Sequence, residues 1–261
     1  MSHSSFLEEF FAGNPPEETG CIRCRGGENY RDALKMAFQP IVDCERREVF
    51  AWEALVRGAD GRSAGQVLAA LRPEQIYAFD QTCRVLAIAT AHRLGMRERL
   101  SINFLPNAVY EPATCLRLTL AAARKVGFAV DRLVFEMTEA ERIREPEHAL
   151  RIISYYQAQG FMTAIDDFGA GYSGLNLLGE FQPHLIKLDM ALVRNIHQDA
   201  RRQAIVSGVL QTSRLLDVQV VAEGVECAQE FSWLGEQGIR LFQGYFFAKP
   251  EIESLPDPRW P

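Results

Sequence analysis

The chain has 261 residues, 48% hydrophobic and 24% charged, an ordinary globular balance with room for one or two domains at ~150 residues each. Its 34 acidic and 28 basic residues leave a net charge of −6, which argues against a general binder of nucleic-acid polymers, since that task needs a positive footprint on phosphates. There is no apolar run of the length that crosses a membrane, and Met1-Ser2-His3-Ser4-Ser5 lacks the cationic and apolar regions of a signal peptide.

Residues 1–29 read as an N-terminal arm. Phe6–Phe11 suits a short helix, Asn14-Pro15-Pro16 breaks it, and Gly20, Gly26 and Gly27 loosen the connection to residue 30. So short a segment cannot bury an adequate core alone. The arm carries Cys21-Ile22-Arg23-Cys24. Arg23 and Arg25 would favour a thiolate there, and His3 or Cys44 are remote partners for a zinc site. Zinc normally takes four ligands at tighter spacing, so an ordinary cysteine pair is preferred. The other cysteines, Cys44, Cys83, Cys115 and Cys227, are sparse, and the last three lie in apolar segments. Reduced thiols and a cytoplasmic protein are expected. The five histidines form no ligand pair at helical or strand spacing.

From residue 30 short apolar runs alternate with helical patterns. Strands are predicted at Ala37–Val42, Val49–Leu55, Leu100–Phe104, Leu133–Met137, Met162–Ile165, Leu185–Leu188, Val218–Ala222 and Ile239–Gln243. Helices are predicted from Pro73 to Gly95, Pro112 to Gly127, Pro146 to Gly160, Ala200 to Leu216 and Ala228 to Gly238. Eight strands alternating with helices suit an α/β fold, a (β/α)8 TIM-type barrel over residues 30–261. A doubly wound open sheet is the alternative, but no glycine fingerprint comes after the first strand.

The residues at the ends of the apolar runs are informative. The strands lead into Glu53, Asn103, Glu136, Asp166-Asp167, Lys187-Leu188-Asp189 and Glu223. In a (β/α) barrel these C-terminal ends converge on the active-site face. One such residue is unremarkable; six are hard to dismiss. Converged carboxylates repel, and burying them unpaired is costly. A divalent cation relieves both, and oxygen-only ligands favour a hard ion such as Mg²⁺ or Mn²⁺. Asp166-Asp167 suggests two ions sharing a bridging carboxylate. Lys187 and Asp189, two apart, are expected on one face.

At these residues the sequence resembles the EAL domain family, the bacterial cyclic di-GMP phosphodiesterases. Trp52-Glu53-Ala54-Leu55-Val56-Arg57 holds the signature, and the likeness runs over roughly residues 35–250. It includes Phe38-Gln39-Pro40-Ile41-Val42, Ser101-Ile102-Asn103, Phe135-Glu136-Met137-Thr138-Glu139 and Asp166-Asp167-Phe168-Gly169-Ala170-Gly171-Tyr172-Ser173. It continues in Ile186-Lys187-Leu188-Asp189, Val221-Ala222-Glu223-Gly224-Val225-Glu226 and Gln243-Gly244-Tyr245-Phe246-Phe247-Ala248-Lys249-Pro250.

The resemblance implies a modified barrel whose first strand runs antiparallel to the rest, and hydrolysis of cyclic di-GMP to linear pGpG. Position by position, Glu53, Asn103, Glu136 and Asp166 match ligands of a first metal, and Asp166 and Asp167 ligands of a second. Glu223 matches either a second-metal ligand or a general base. Lys187 matches a lysine holding the lytic water or phosphate, and Gln243 a water-orienting glutamine. Arg57 is expected on a substrate phosphate and Glu226 near a guanine, with Gln39, Leu55, Asp189 and Pro250 also toward substrate. Glu139 matches the anchor of the Asp167–Gly171 loop, which the family uses to couple dimerisation to metal binding. Leu105 stands where a serine is common, and Ala170 and Gly174 are mild loop variants; no metal ligand is lost. Among Phe242, Tyr245, Phe246 and Phe247, one ring is expected to be free to stack on a base and the others to pack in the core.

The expected protein is therefore a two-cation cyclic di-GMP phosphodiesterase, forming a homodimer. No sensor region is recognisable in the sequence, so regulation is expected from oligomerisation, the arm or a protein partner in trans. The alternatives are a cyclic di-GMP receptor without turnover, whose relatives usually lack some ligands, and an unrelated barrel metalloenzyme acting on a carboxylate.

Overall fold

The computed structural model describes residues 10, 30, 33–109, 111–138, 146–171 and 174–261. Its strands are β1 (Leu34–Asp43), β2 (Glu48–Gly58), β3 (Arg99–Phe104), β4 (Leu133–Thr138), β5 (Met162–Phe168), β6 (Leu185–Leu188), β7 (Gln219–Ala222), β8 (Leu241–Phe242) and β9 (Glu251–Ile252). Hydrogen bonding runs from β2 in order to β8, then to β1, and β1 pairs back to β2, so eight strands close into a barrel rather than an open sheet. β2 to β8 pair in parallel. β1 is antiparallel to both neighbours, as the resemblance implied.

β1 is buried along nearly its whole length, because one face lines the barrel and the other lies under helices. Pro40 sits in its middle, where a missing N–H is normally excluded from a sheet. The outer edge of β1 is paired at Ala37–Phe38 with β9 and at Val42–Asp43 with β8, and Pro40 falls in the gap between.

The helices are α1 (Ala64–Ala69), α2 (Ile76–Arg93), α3 (Pro112–Val126), α4 (Pro146–Ala158), α5 (Gly174–Glu180), α6 (Met190–Val193), α7 (Ala200–Leu215) and α8 (Ala228–Glu236). Their ends obey local chemistry. Ser63 and Gln66 form a capping box on α1, Pro112 opens α3 and left-handed Gly127 closes it, and Asp199 accepts from the Arg201 and Arg202 amides to start α7. α2 is buried all round: every residue from Ala78 to Ala91 is covered, including Asp80 and Arg84.

The five predicted helices and eight barrel strands are present, with ends shifted by a few residues. β8 is reduced to Leu241–Phe242 because the chain turns at Gln243-Gly244, where a Cβ on Gly244 would collide with the Val225 backbone. The short α1, α5, α6 and β9 carry too little periodicity to be predicted. Most of the arm, with Cys21 and Cys24, lies outside the described residues, but Phe10 is buried in the core with Lys125 over its ring. Cys44, Cys83 and Cys227 are free thiols. Among the described residues no helix is long and apolar enough to cross a membrane.

Candidate active site at the barrel mouth

Inside the barrel a lower layer is apolar: Ile41, Ala51, Val134, Ala164, Leu185, Val221 and Leu241. Two residues further along the same strands the period-2 alternation returns to the interior face, now with polar side chains. Lys187 stands at their centre, almost fully buried. Its Nζ lies 2.7 Å from Glu223 Oε1, 2.8 Å from Glu136 Oε2, 2.9 Å from Asp166 Oδ1 and 3.4 Å from Glu53 Oε2. Asn103 Nδ2 donates to Glu53 Oε1 at 2.9 Å. Gln243 Nε2 donates to Glu53 Oε2 at 2.6 Å and more weakly to Gln39 Oε1, while Gln39 Nε2 donates to Ala248 O.

Asp166 and Asp167 are consecutive, so alternation alone would send them to opposite faces. Between Ile165 and Phe168 β5 holds one residue more than the matching span of β6, and Asp167 takes a φ of 54°. This bulge turns both carboxylates to the mouth, and aspartate tolerates the left-handed region better than most residues. Two ligand sets result: Glu53, Glu136 and Asp166, and Asp166, Asp167 and Glu223, each with carboxylate oxygens within 4.8 Å of one another. Asp166 is common to both.

The electrostatics are unbalanced. Five carboxylates face one ammonium. Burial pushes Glu136 up to about 8, aided by Glu53 and Asp166 and opposed by Lys187. Burial likewise pushes Glu223 well above the usual carboxylate range. Desolvation opposes the charge on Lys187, but the surrounding carboxylates outweigh it and hold its pKa well above the ordinary lysine value. The residues fit two hard divalent cations: the donors are all oxygen, Asp166 is positioned to be shared, and four charges would offset the four left in excess.

Beside Glu53, Asn103, Asp166 and Asp167 opens a cavity of about 310 Å³, whose other walls include Leu55, Leu105 and Phe79. Arg57 turns back on its own strand, Nη1 donating to Val56 O at 2.8 Å. Asp189 lies just past the end of β6, its amide still donating to Phe168 O. Its carboxylate N-caps α6 by accepting from Ala191 N. Glu226 forms a two-bond pair with Arg194, which holds its carboxyl below the usual range. Pro250 directly precedes β9. Phe242, Phe246 and Phe247 pack with Phe231, while Tyr245 is exposed under Lys249. Glu139, Tyr172 and Ser173 lie outside the described residues.

Sequence reasoning did not assign Ser101, whose Oγ donates to Glu136 Oε1 at 2.5 Å. Its signal was its place two residues before Asn103, on the same strand face. Nor did it single out Glu230, a buried carboxylate that accepts from the Asn195, Glu226 and Cys227 amides and so ties the loop after α6 to the loop before α8.

Comparison with known proteins identifies the family and the fold. The EAL domain model matches residues 29–250. The chain is 34% identical over 226 residues to the blue light- and temperature-regulated antirepressor BluF of Escherichia coli K12, covering 86% of this chain and 56% of BluF. It is 33% identical over 162 residues to the cyclic di-GMP phosphodiesterase RocR of Pseudomonas aeruginosa, covering 62% of this chain and 41% of RocR. The chain thus spans about half the length of these relatives. Among solved structures, a standalone versatile EAL protein from Vibrio cholerae O395 in its c-di-GMP bound form is 52% identical with a TM-score of 0.84, covering 87% of this chain and 95% of that one. A manganese/cy-diGMP complex of Klebsiella pneumoniae BlrP1 is 38% identical with a TM-score of 0.83, covering 87% and 58%.

Proposed function

The chain belongs to the EAL domain family, and on that premise we propose that it is a phosphodiesterase, dependent on Mg²⁺ or Mn²⁺, that opens one phosphodiester of cyclic di-GMP to give linear pGpG. The observation that carries the reading is the pair of carboxylate sets joined at Asp166 beside a buried Lys187. Glu53, Asn103, Glu136 and Asp166 would hold one cation and Asp166, Asp167 and Glu223 the other. The closeness of Glu223 to Asp166 and Asp167 supports a ligand rather than a free base. Bound together, the two cations would lower the pKa of a water between them and offset charge on the attacking and leaving oxygens.

The protein's own groups complete the chemistry. Lys187 is held protonated at the centre, where its ammonium would bind a phosphate oxygen or orient the attacking water. Gln243 uses Nε2 on Glu53, and its buried Oε1 has no hydrogen-bond partner among the described residues, which suits an acceptor for that water. Arg57 would swing from Val56 O to a substrate phosphate, and Gln39, Leu55, Asp189, Glu226 and Pro250 would border the nucleotide. A homodimer, a regulator in trans and a cytoplasmic setting belong to the same proposal.

The test is incubation of the purified chain with cyclic di-GMP and Mg²⁺ or Mn²⁺, with separation of products. Formation of pGpG that stops on chelation is expected. Binding without turnover under both metals would replace the enzyme reading with that of a receptor.

A further inference from the structure

Behind the barrel mouth α2 carries an ion pair that the site itself does not use. Asp80 and Arg84 are both sealed from solvent, with Arg84 Nη2 2.5 Å from Asp80 Oδ2. The guanidinium lies 5.3 to 5.9 Å from the ring centres of Phe104, Phe135 and Tyr156, and its Nη1 donates to the Tyr156 hydroxyl at 2.8 Å. Burying such a pair costs desolvation that its attraction does little more than offset, so net stability is a poor reason for it.

Its contacts converge on the strand ends that carry the cation ligands. Phe104 comes directly after Asn103, and Phe135 precedes Glu136; by alternation the rings point outward to Arg84 while Asn103 and Glu136 point inward. The second oxygen of Asp80, Oδ1, accepts from Leu105 N at 3.1 Å. Leu105 is the first residue after β3, two beyond Asn103. Asp80 also lines the cavity beside Glu53, Asn103 and Asp166. The Asn103–Glu53 hydrogen bond requires the end of β3 to sit at a fixed height against β2, and Asp80 grips the backbone where that height is set.

We propose that Asp80, oriented by Arg84, is a positioning residue for the cation site: it pins the end of β3 so that Asn103 and Glu53 keep their ligand spacing. The proposal rests on the proposed function in taking divalent cations as what those residues hold. Partners lying just outside a metal's ligands are typically worth 10–100-fold in its affinity.

The experiment is a calorimetric Mn²⁺ titration of the full chain, with a melting curve for each variant. Asp80→Asn keeps an oxygen for the Leu105 amide. Asp80→Ala removes it and leaves Arg84 unpaired. Asp80→Leu combined with Arg84→Met removes the grip without leaving a buried charge, and so separates positioning from folding. Asp80→Ala and the double variant are expected to bind Mn²⁺ at least about 10-fold more weakly, with Asp80→Asn close to the unsubstituted protein. A folded double variant that binds Mn²⁺ within about twofold of the unsubstituted protein would overturn the proposal alone, because its expected loss is larger. An unsubstituted chain that binds no Mn²⁺ would overturn the cation reading and this proposal with it.

Discussion

The barrel interior has two layers built from the same strands, two residues apart. In β2, β4, β5, β6, β7 and the β8 end, Ala51, Val134, Ala164, Leu185, Val221 and Leu241 lie below Glu53, Glu136, Asp166, Lys187, Glu223 and Gln243. β1 reverses the order, with Gln39 before Ile41, because it runs antiparallel. The lower layer buries apolar volume and closes the barrel. The upper layer gathers five carboxylates around one ammonium, an arrangement that works against folding unless something neutralises it. One step of the pleat separates apolar packing from the charged groups of the proposed site.

The largest expected effect breaks the upper layer while sparing the lower. Glu53→Gln keeps the shape of the side chain but removes its charge and one of the two oxygens that accept from Asn103 and Gln243. Turnover of cyclic di-GMP should fall by about 10²–10⁴-fold. The melting temperature of metal-free protein should hold or rise, because one repelling charge is gone. A rate near that of the unsubstituted protein would remove Glu53 from the site.

A second measurement sharpens the same contrast through pH. Glu136 titrates at about 8 in the folded protein against 4.5 for an ordinary glutamate, because burial disfavours its charge. A raised carboxyl pKa means that the folded state holds its proton more tightly than the unfolded chain does. Its contribution to stability is therefore full below pH 4.5 and is lost as pH climbs through 8. In chelator, the melting temperature should fall between about pH 5 and 8. Glu136→Gln should flatten that fall, and Mn²⁺ should cancel it by favouring the ionised carboxylates. A melting temperature independent of pH over that range in chelator would show that the upper layer carries no such burden.

The two layers were not equally legible in the sequence. The lower one appears as plain apolar runs. Most of the upper one comes from a period of two, which places Glu53, Asn103, Glu136, Lys187 and Glu223 on the inner face once a barrel is assumed. Alternation does not account for residues that a bulge re-aims or that a helix cap engages. Asp167 reaches the mouth only through a bulge and a positive φ, and Asp189 falls beyond Leu188 and spends its carboxylate on a helix cap. The antiparallel first strand came from the family resemblance, since spacing alone cannot orient a strand. Asp80 and Arg84 sit four apart in a helix that is buried on every side from Ala78 to Ala91. That spacing marks an i,i+4 pair, but the strand end Asp80 holds is set by tertiary packing.

The smallest expected effect on chemistry comes from the lower layer and is the strictest test of the division. Leu185 is buried beneath Lys187 and packs with the other apolar side chains of the barrel floor. Leu185→Ala should cost about 2–5 kcal/mol of unfolding free energy, because deleted methyl groups lose both their transfer energy and their packing partners. If the layers act independently, the folded fraction should still hydrolyse cyclic di-GMP within a few-fold of the unsubstituted rate, well short of the Glu53→Gln loss. A large loss of turnover in folded Leu185→Ala would mean that Lys187 is aimed by the floor as well as by its carboxylates. Denaturant melts and initial rates measured at the same temperature distinguish the two, since a stability defect changes how much protein is active and an aiming defect changes the rate of each folded molecule.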